Sequence, residues 1–205
     1  MLIDFRTLIK KYNFKPKGVL HVGAHTGQEA EVYNEICSGN VVWIEANPQL
    51  YKRLLRHLEQ FPRQIGIHAL VSDTDGLEMD FNISSNDGQS SSILELGTHK
   101  DVHPEVTYVD KIQLISSRID KIQYDFNGLD FLNMDLQGAE LLALKGMGKL
   151  LDQFNYAYLE VNWTELYKGC PLLAELNKFM ESKGFKFKES LEAGNTGWGD
   201  AFWMR

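Results

Sequence analysis

Val19-Leu20-His21-Val22-Gly23-Ala24-His25-Thr26-Gly27 and, after a helical stretch, Val41-Val42-Trp43-Ile44-Glu45-Ala46-Asn47-Pro48 read as strand, glycine turn, helix, strand and terminal acid. The first run is β-rich and stops at Gly23, where a residue without a side chain lets the backbone turn tightly and approach a ligand. Gly27 opens the next helix. The second run ends on Glu45, 22 residues beyond Gly23, close to the ~20-residue spacing of a carboxylate that accepts from ribose hydroxyls. This order predicts a nucleoside crevice in an α/β sheet, with Gly23, His25, Thr26, Gly27, Glu45, Ala46 and Asn47 as its cofactor contacts.

The glycine spacing bears on which nucleoside is bound. A dinucleotide turn needs Gly-x-Gly-x-x-Gly, so that the backbone can sit against a pyrophosphate. Here the position two after Gly23 holds His25, whose side chain crowds a diphosphate. S-adenosylmethionine has no phosphate. Its sulfonium and amino-acid tail need a close backbone, a few polar groups and a carboxylate or two. A nicotinamide-dependent oxidoreductase shares the first strand, turn and acid and stays open as an alternative, as does a catalytically silent nucleoside-binding module.

Outward from this unit the elements alternate, the signature of a mostly parallel sheet with helices on both faces. Leu2, Phe5, Leu8, Ile9 and Tyr12 fall at helical spacing, giving an amphipathic lead helix within residues 1–17. Helices are predicted from Gly27 to about Cys37 and from Pro48 to about Gln60, and a third strand from Ile65 to Ser72, with Ser72 as a further cofactor contact. From Asp73 to Gln123 regular order breaks down, with an Asp75-Gly76 turn and the polar run Ser84 to Ser92. Segment 73–123 therefore reads as an insertion or lid over the ligand. Order resumes with a strand at Leu129–Asp135, a helix at Ala139–Lys145, a strand at Tyr156–Val161, a helix at Pro171–Lys183, and strands at Phe185–Leu191 and Asp200–Met204. Glu192 to Gly199 is too short for a helical crossover, so the last two strands should be antiparallel. That hairpin favours a methyltransferase architecture over a dehydrogenase one.

The 205 residues suit a single domain. With 28 acidic against 21 basic residues and a net charge of −7, the chain lacks the clustered Lys and Arg of a nucleic-acid binder; a small or neutral acceptor fits better. Cys37 and Cys170 have no metal-type spacing and read as reduced thiols. No apolar run reaches the roughly 18–20 residues of a membrane span, and the first residues lack a signal-peptide pattern, so the expected location is cytoplasmic.

Four blocks carry a resemblance. Val19 to Gly27, Trp43 to Pro48, Asn133-Met134-Asp135-Leu136-Gln137-Gly138-Ala139-Glu140 with Leu144-Lys145-Gly146, and Leu159-Glu160-Val161 resemble successive blocks of the FkbM family of S-adenosylmethionine-dependent methyltransferases. The third is the most specific, since that family typically reads Asp-x-Glu-Gly-x-Glu there. Two positions depart: His21 stands where many class I methyltransferases carry an acid, and Gln137 where the family often has Glu. The resemblance implies a Rossmann-like class I methyltransferase fold, a seven-stranded sheet, S-adenosylmethionine as cofactor, and O-methylation of a hydroxyl on a sugar, a glycan or a related small molecule.

Methyl transfer to an alcohol needs a base nearby. Asp135, at a strand end beside the topological switch point, is the leading acceptor-positioning group or base and a further cofactor contact; capping the helix that starts near Ala139 is its competing role. Glu140 complements that helix's dipole, and Glu160 ends the next strand on the same sheet edge, where pairing with a loop amide competes with catalysis. His99, Asp101 and His103 alternate, and extended backbone would put all three on one side at a spacing compatible with a metal, although no metal is assigned. His99 is a second candidate base. Ser91 and Ser92 either close over the cofactor or serve as polar linker. Trp198, Phe202 and Trp203 could stack on a sugar ring, although Phe202 and Trp203 fall on opposite faces of a strand and read as core, while Trp163 and Tyr167 are better placed for an acceptor.

Overall fold

Asp4 accepts a hydrogen bond from the Thr7 N–H, starting α1 (Phe5–Tyr12), and Asn13 ends it in the left-handed conformation, φ 50°. In this computed structural model, which describes residues 2–205, there follow β1 (Val19–Val22), α2 (Ala30–Ile36), β2 (Val41–Glu45), α3 (Pro48–Leu58), β3 (Gln64–His68), β4 (Leu70–Val71) and β5 (Glu78–Ser84). The chain continues through α4 (His99–Val102), β6 (Tyr108–Ser117), β7 (Phe131–Met134), α5 (Glu140–Gly146), β8 (Tyr156–Asn162), α6 (Leu173–Ser182), β9 (Lys186–Glu192) and β10 (Trp198–Met204).

Seven strands form one sheet in the order β3-β2-β1-β7-β8-β10-β9, parallel except for β10, which runs antiparallel to both neighbours. The expected class I methyltransferase architecture, with its C-terminal antiparallel hairpin, is the observed one. The order reverses at β1, where Val22 lies opposite Ile44 on one side and Met134 on the other. A crevice opens at that switch point because the connections from β1 and β7 leave in opposite directions.

Period-two alternation sorts the strands into two cores. Leu20, Val22, Val42, Ile44, Leu132 and Met134 pack with α5 and α6 on one face, while Val19, Val41, Trp43, Phe131 and Tyr158 pack with α1, α2 and α3 on the other. Phe202 and Trp203, fully buried on opposite faces, are core residues.

Several local expectations are corrected. Helix α2 begins at Ala30 and not at Gly27, because Gly27 sits at φ +76°, outside helical space. The third strand divides. β3 ends at His68, and Leu70–Val71 leave the main sheet to pair with Ser116–Ser117 of β6. Segment 73–123 is not irregular: β5 and β6 form an antiparallel pair that joins β4 in a three-stranded sheet. Most of β6 is solvent-exposed or half-buried, so no buried stripe marked it as a strand. The polar run is ordered too. Asn82 and Ser92 bridge antiparallel through two backbone hydrogen bonds, and the Ser84 hydroxyl donates to Asn86 at 2.6 Å and accepts from the Ser90 N–H.

Asn47, expected as a cofactor contact, is the N-cap of α3: its Oδ1 accepts from the N–H groups of Gln49 and Leu50 at 2.9 and 3.3 Å. Asn47→Ala is expected to cost about 1 kcal/mol. A urea midpoint identical to wild type would show that the cap contributes nothing.

Candidate active site

Gly23 takes φ +88°, and a Cβ there would fall 1.7 Å from the Asp135 carbonyl oxygen. Only glycine lets the turn after β1 pass this close to the end of β7, where the Asp135 N–H donates to the Val22 carbonyl at 2.9 Å. Two residues on, His25 is also left-handed, φ 49°. Histidine tolerates that conformation better than most residues. Its ring Nε2 lies 3.0 Å from the Asp87 carbonyl, tying the turn to the β5–α4 segment above it.

Between turn and segment lies a cavity of about 830 Å3 at the carboxyl ends of β1, β2, β7 and β8. Six carboxylate residues line it, Glu29, Glu45, Glu105, Asp135, Glu160 and Asp200, and no Lys or Arg among the described residues does. Glu45 accepts from the His25 and Asn47 N–H groups, one on each oxygen and both at 2.7 Å. Each oxygen keeps a lone pair for another donor. Burial pushes the Glu45 carboxyl up to about 7 against the opposing backbone hydrogen bonds.

Asp135, Gln137, Glu140, Glu160 and Tyr167 converge. The Gln137 Nε2 donates to Asp135 at 2.6 Å and to Glu160 at 2.8 Å, and the Tyr167 hydroxyl donates to the Gln137 Oε1. Glu140, fully buried, accepts through Oε1 from the N–H groups of Leu136 and Gly138, at 2.8 and 3.2 Å. Glu140, not Asp135, therefore closes the turn into α5. Burial raises Glu140 to about 7; burial, together with the Asp135 and Glu140 charges, holds Glu160 well above the usual carboxylate range. Asp135 is the exposed member of the group.

Of the other expected contacts, Gly23, His25, Ala46, Ser91 and His99 line the cavity, whereas Thr26, Gly27, Asn47, Ser72 and Ser92 do not. Thr26 offers its carbonyl to His57, and Gly27 is needed where a Cβ would press on Leu54 at 2.8 Å. Ser72 turns its hydroxyl to Asp73. Ser92 donates to the Gln137 carbonyl at 2.9 Å and so holds the overlying segment to the Asp135 turn. The His99, Asp101, His103 alternation fails as a metal triad because residues 99–102 are helical. Residues four apart then share a side, with the two histidine rings 5.2 Å apart, while Asp101 is exposed. His99 is buried, its Nε2 3.3 Å from the Ser90 hydroxyl and its Nδ1 unpartnered; burial pushes its pKa down. Tyr167 lines the cavity, and Trp163 packs against the core.

Sequence reasoning missed Glu29 and Asp200 as site residues. Glu29 is 3.8 Å from His21 Nδ1, and burial lowers His21 to about 3, which keeps the imidazole neutral against Trp43. Asp200 accepts from the Leu2 N–H and the Tyr158 hydroxyl, both at 2.5 Å, opposite Glu160 in the β8–β10 register. Glu29, two residues beyond Gly27, was visible in the sequence as an acid beside the turn; Asp200 depends on strand register alone.

The family model described as the methyltransferase FkbM domain matches residues 21–187. The chain belongs to the FkbM methyltransferase family. Solved structures share its fold. An S-adenosylmethionine-dependent methyltransferase from Aquifex aeolicus is 16% identical with a TM-score of 0.52, the alignment covering 99% of this chain and 90% of that one. Aeropyrum pernix fibrillarin, crystallised with natively bound S-adenosyl-L-methionine, is 14% identical over 93% of this chain and 67% of that chain, TM-score 0.53. TrmK from M. capricolum, in complex with S-adenosylhomocysteine, is 9% identical over 100% of this chain and 69% of that chain, TM-score 0.54. No curated protein matches the chain. The FkbM protein is an S-adenosylmethionine-dependent methyltransferase. Its cavity suits that cofactor. A wall of carboxylates without a Lys or Arg favours a sulfonium and an ammonium and opposes a diphosphate, which weighs against the nicotinamide alternative. No helix among the described residues is long and apolar enough to cross a membrane.

Proposed function

We propose that this FkbM methyltransferase methylates a hydroxyl of a sugar, glycan or related small molecule, with Asp135 orienting the acceptor and taking its proton. The observation that carries the reading is the six-carboxylate cavity in which Asp135 stands exposed at the switch point. Such a lining repels a phosphate-rich acceptor and accepts hydroxyls readily. Glu45 would receive the ribose hydroxyls, and Glu29 and Asp200 lie where an ammonium would gain charged partners. The bound cofactor supplies an electrophilic methyl carbon. As the new C–O bond forms and the C–S pair returns to sulfur, Asp135 accepts the hydroxyl proton. Gln137 and Tyr167 hold Asp135 against Glu160, so the carboxylate meets the acceptor already oriented. His99, neutral and with a free Nδ1, is the second candidate for the proton.

Incubating a glycan pool with isotopically labelled methyl donor and reading the products by mass spectrometry tests the acceptor class. Label in a protein or nucleic acid, with none in glycans or small alcohols, overturns it. Thermal shifts with S-adenosylhomocysteine and with NAD test the cofactor, since a ligand at 100 times its Kd adds ~2.7 kcal/mol. A response to NAD alone is the adverse result.

Glu45→Ala is expected to weaken S-adenosylhomocysteine binding by about 1–3 kcal/mol. Ribose hydroxyls donate best to the ionised acid, and Glu45 ionises as pH rises through about 7. Affinity should therefore climb with pH and level off above 7, falling by up to about tenfold per unit below it. Calorimetry on Glu45→Gln should show that part of the slope removed; an unchanged slope would take Glu45 out of the ribose role.

A further inference from the structure

We propose that Asp135, Glu140 and Glu160 form a binding site for one divalent, oxygen-seeking cation of the Mg2+ or Mn2+ class, with Asp135 and Glu160 lining the cavity and Glu140 buried beside them. One carboxylate oxygen from each residue lies within 4.8 Å of those of the other two. Oxygens on opposite sides of one such ion are about 4–5 Å apart, given metal–oxygen distances of 2.0–2.6 Å. Closing the three onto an ion therefore takes only small rotamer adjustments. Glu140 supplies an independent pointer. It is fully buried, its Oε1 is used by the turn, and its Oε2 has no hydrogen-bond partner. A buried carboxylate oxygen left unpartnered is costly, and a cation is the partner it lacks.

No positive side chain among the described residues offsets the group. None of the three acids makes an ion pair with a Lys, Arg or His among the described residues. Asp135 and Glu160 also point at one place, since both accept from the same Gln137 Nε2 at 2.6 and 2.8 Å. Turning over the Gln137 amide exchanges that nitrogen for Oε1 and makes Gln137 a neutral fourth ligand. Oxygen-only ligands select a hard cation over zinc or copper. Water or an acceptor hydroxyl would complete the shell from the side of the exposed Asp135. On the hydroxyl-acceptor reading above, the ion would bind the acceptor oxygen and make its proton easier to remove. The ion-binding claim itself does not depend on that reading.

The decisive experiment uses chelator-treated full-length protein titrated with Mn2+, followed by electron paramagnetic resonance and calorimetry without cofactor or acceptor. One Mn2+ per chain is expected, displaced by excess Mg2+. Glu160→Gln and Glu140→Gln should each weaken it at least about tenfold, while Glu105→Gln, a cavity acid outside the trio, leaves it unchanged. Glu140→Gln keeps an oxygen for the turn, and circular dichroism confirms folding; should it unfold, Glu160→Gln decides. No saturable Mn2+ binding up to millimolar concentration, or binding equally strong in both trio variants, overturns the site. Saturable binding without methylation of any hydroxyl acceptor leaves the site standing and removes the acceptor class instead.

Discussion

Asp135→Asn is expected to lower turnover by about 10²–10⁴-fold, the range for losing a positioned proton acceptor, while S-adenosylhomocysteine affinity stays within about threefold. The split follows from geometry. Asp135 is the exposed acid of the cluster and stands at the end of β7, whereas the acid assigned to the ribose, Glu45, is held separately by the His25 and Asn47 N–H groups. Asparagine keeps the side chain's size and an oxygen for the Gln137 amide, so the turn should survive. Single-turnover kinetics with saturating cofactor read the loss directly. A fall in kcat and kcat/KM together marks an interaction made in the transition state, and a rise in KM alone would reduce Asp135 to acceptor binding. A fully active variant would pass the role to His99, whose own Gln variant should then be silent.

Gly23→Ala is expected to destabilise the ligand-free protein by about 3 kcal/mol or more, combining left-handed strain with overpacking. In a chain this long that lowers Tm by roughly 6–12 °C. The added Cβ would overlap the Asp135 carbonyl oxygen at 1.7 Å, and a backbone oxygen at a sheet's switch point cannot swing aside. Displacing it moves the carboxylate cluster, so cofactor binding should fail as well. Gly169→Ala is the control. Gly169 has φ +75° but nothing within 4 Å of where a Cβ would sit, so the substitution costs only the backbone conformation, about 1 kcal/mol. Equal losses in urea denaturation would show that the close approach to β7 is unimportant.

The parallel strands were legible because each is a short β-rich run bounded by glycine or an acid, and the last hairpin because its connection is too short for a crossover. What escaped was the three-stranded sheet of β4, β5 and β6. Its longest strand, β6, carries Asp110, Lys111 and Gln113 on half-exposed backbone, where no apolar face needs burying. The histidine spacing was ambiguous for a related reason. Two- and four-residue separations suit different backbones, and the helix at residues 99–102 keeps His103 beside His99 while removing Asp101. Gln137 illustrates a third limit. In sequence it is a missing charge; in space its amide joins Asp135 to Glu160 and receives the Tyr167 hydroxyl.

By itself the sequence determined the sheet's switch point, the glycine turn and the acids at strand ends, because those features depend on local conformation and on alternation within single strands. Only the tertiary structure decided which acids meet. Glu29 and Asp200 come from a turn and the final strand, and their joining Asp135 and Glu160 around one cavity follows from parallel registry and the insertion of β10 between β8 and β9. Strand pairing across more than a hundred residues leaves no periodic trace in any one segment. The full charge of this site, with Glu29, Glu105 and Asp200 added, therefore became visible only in the folded chain.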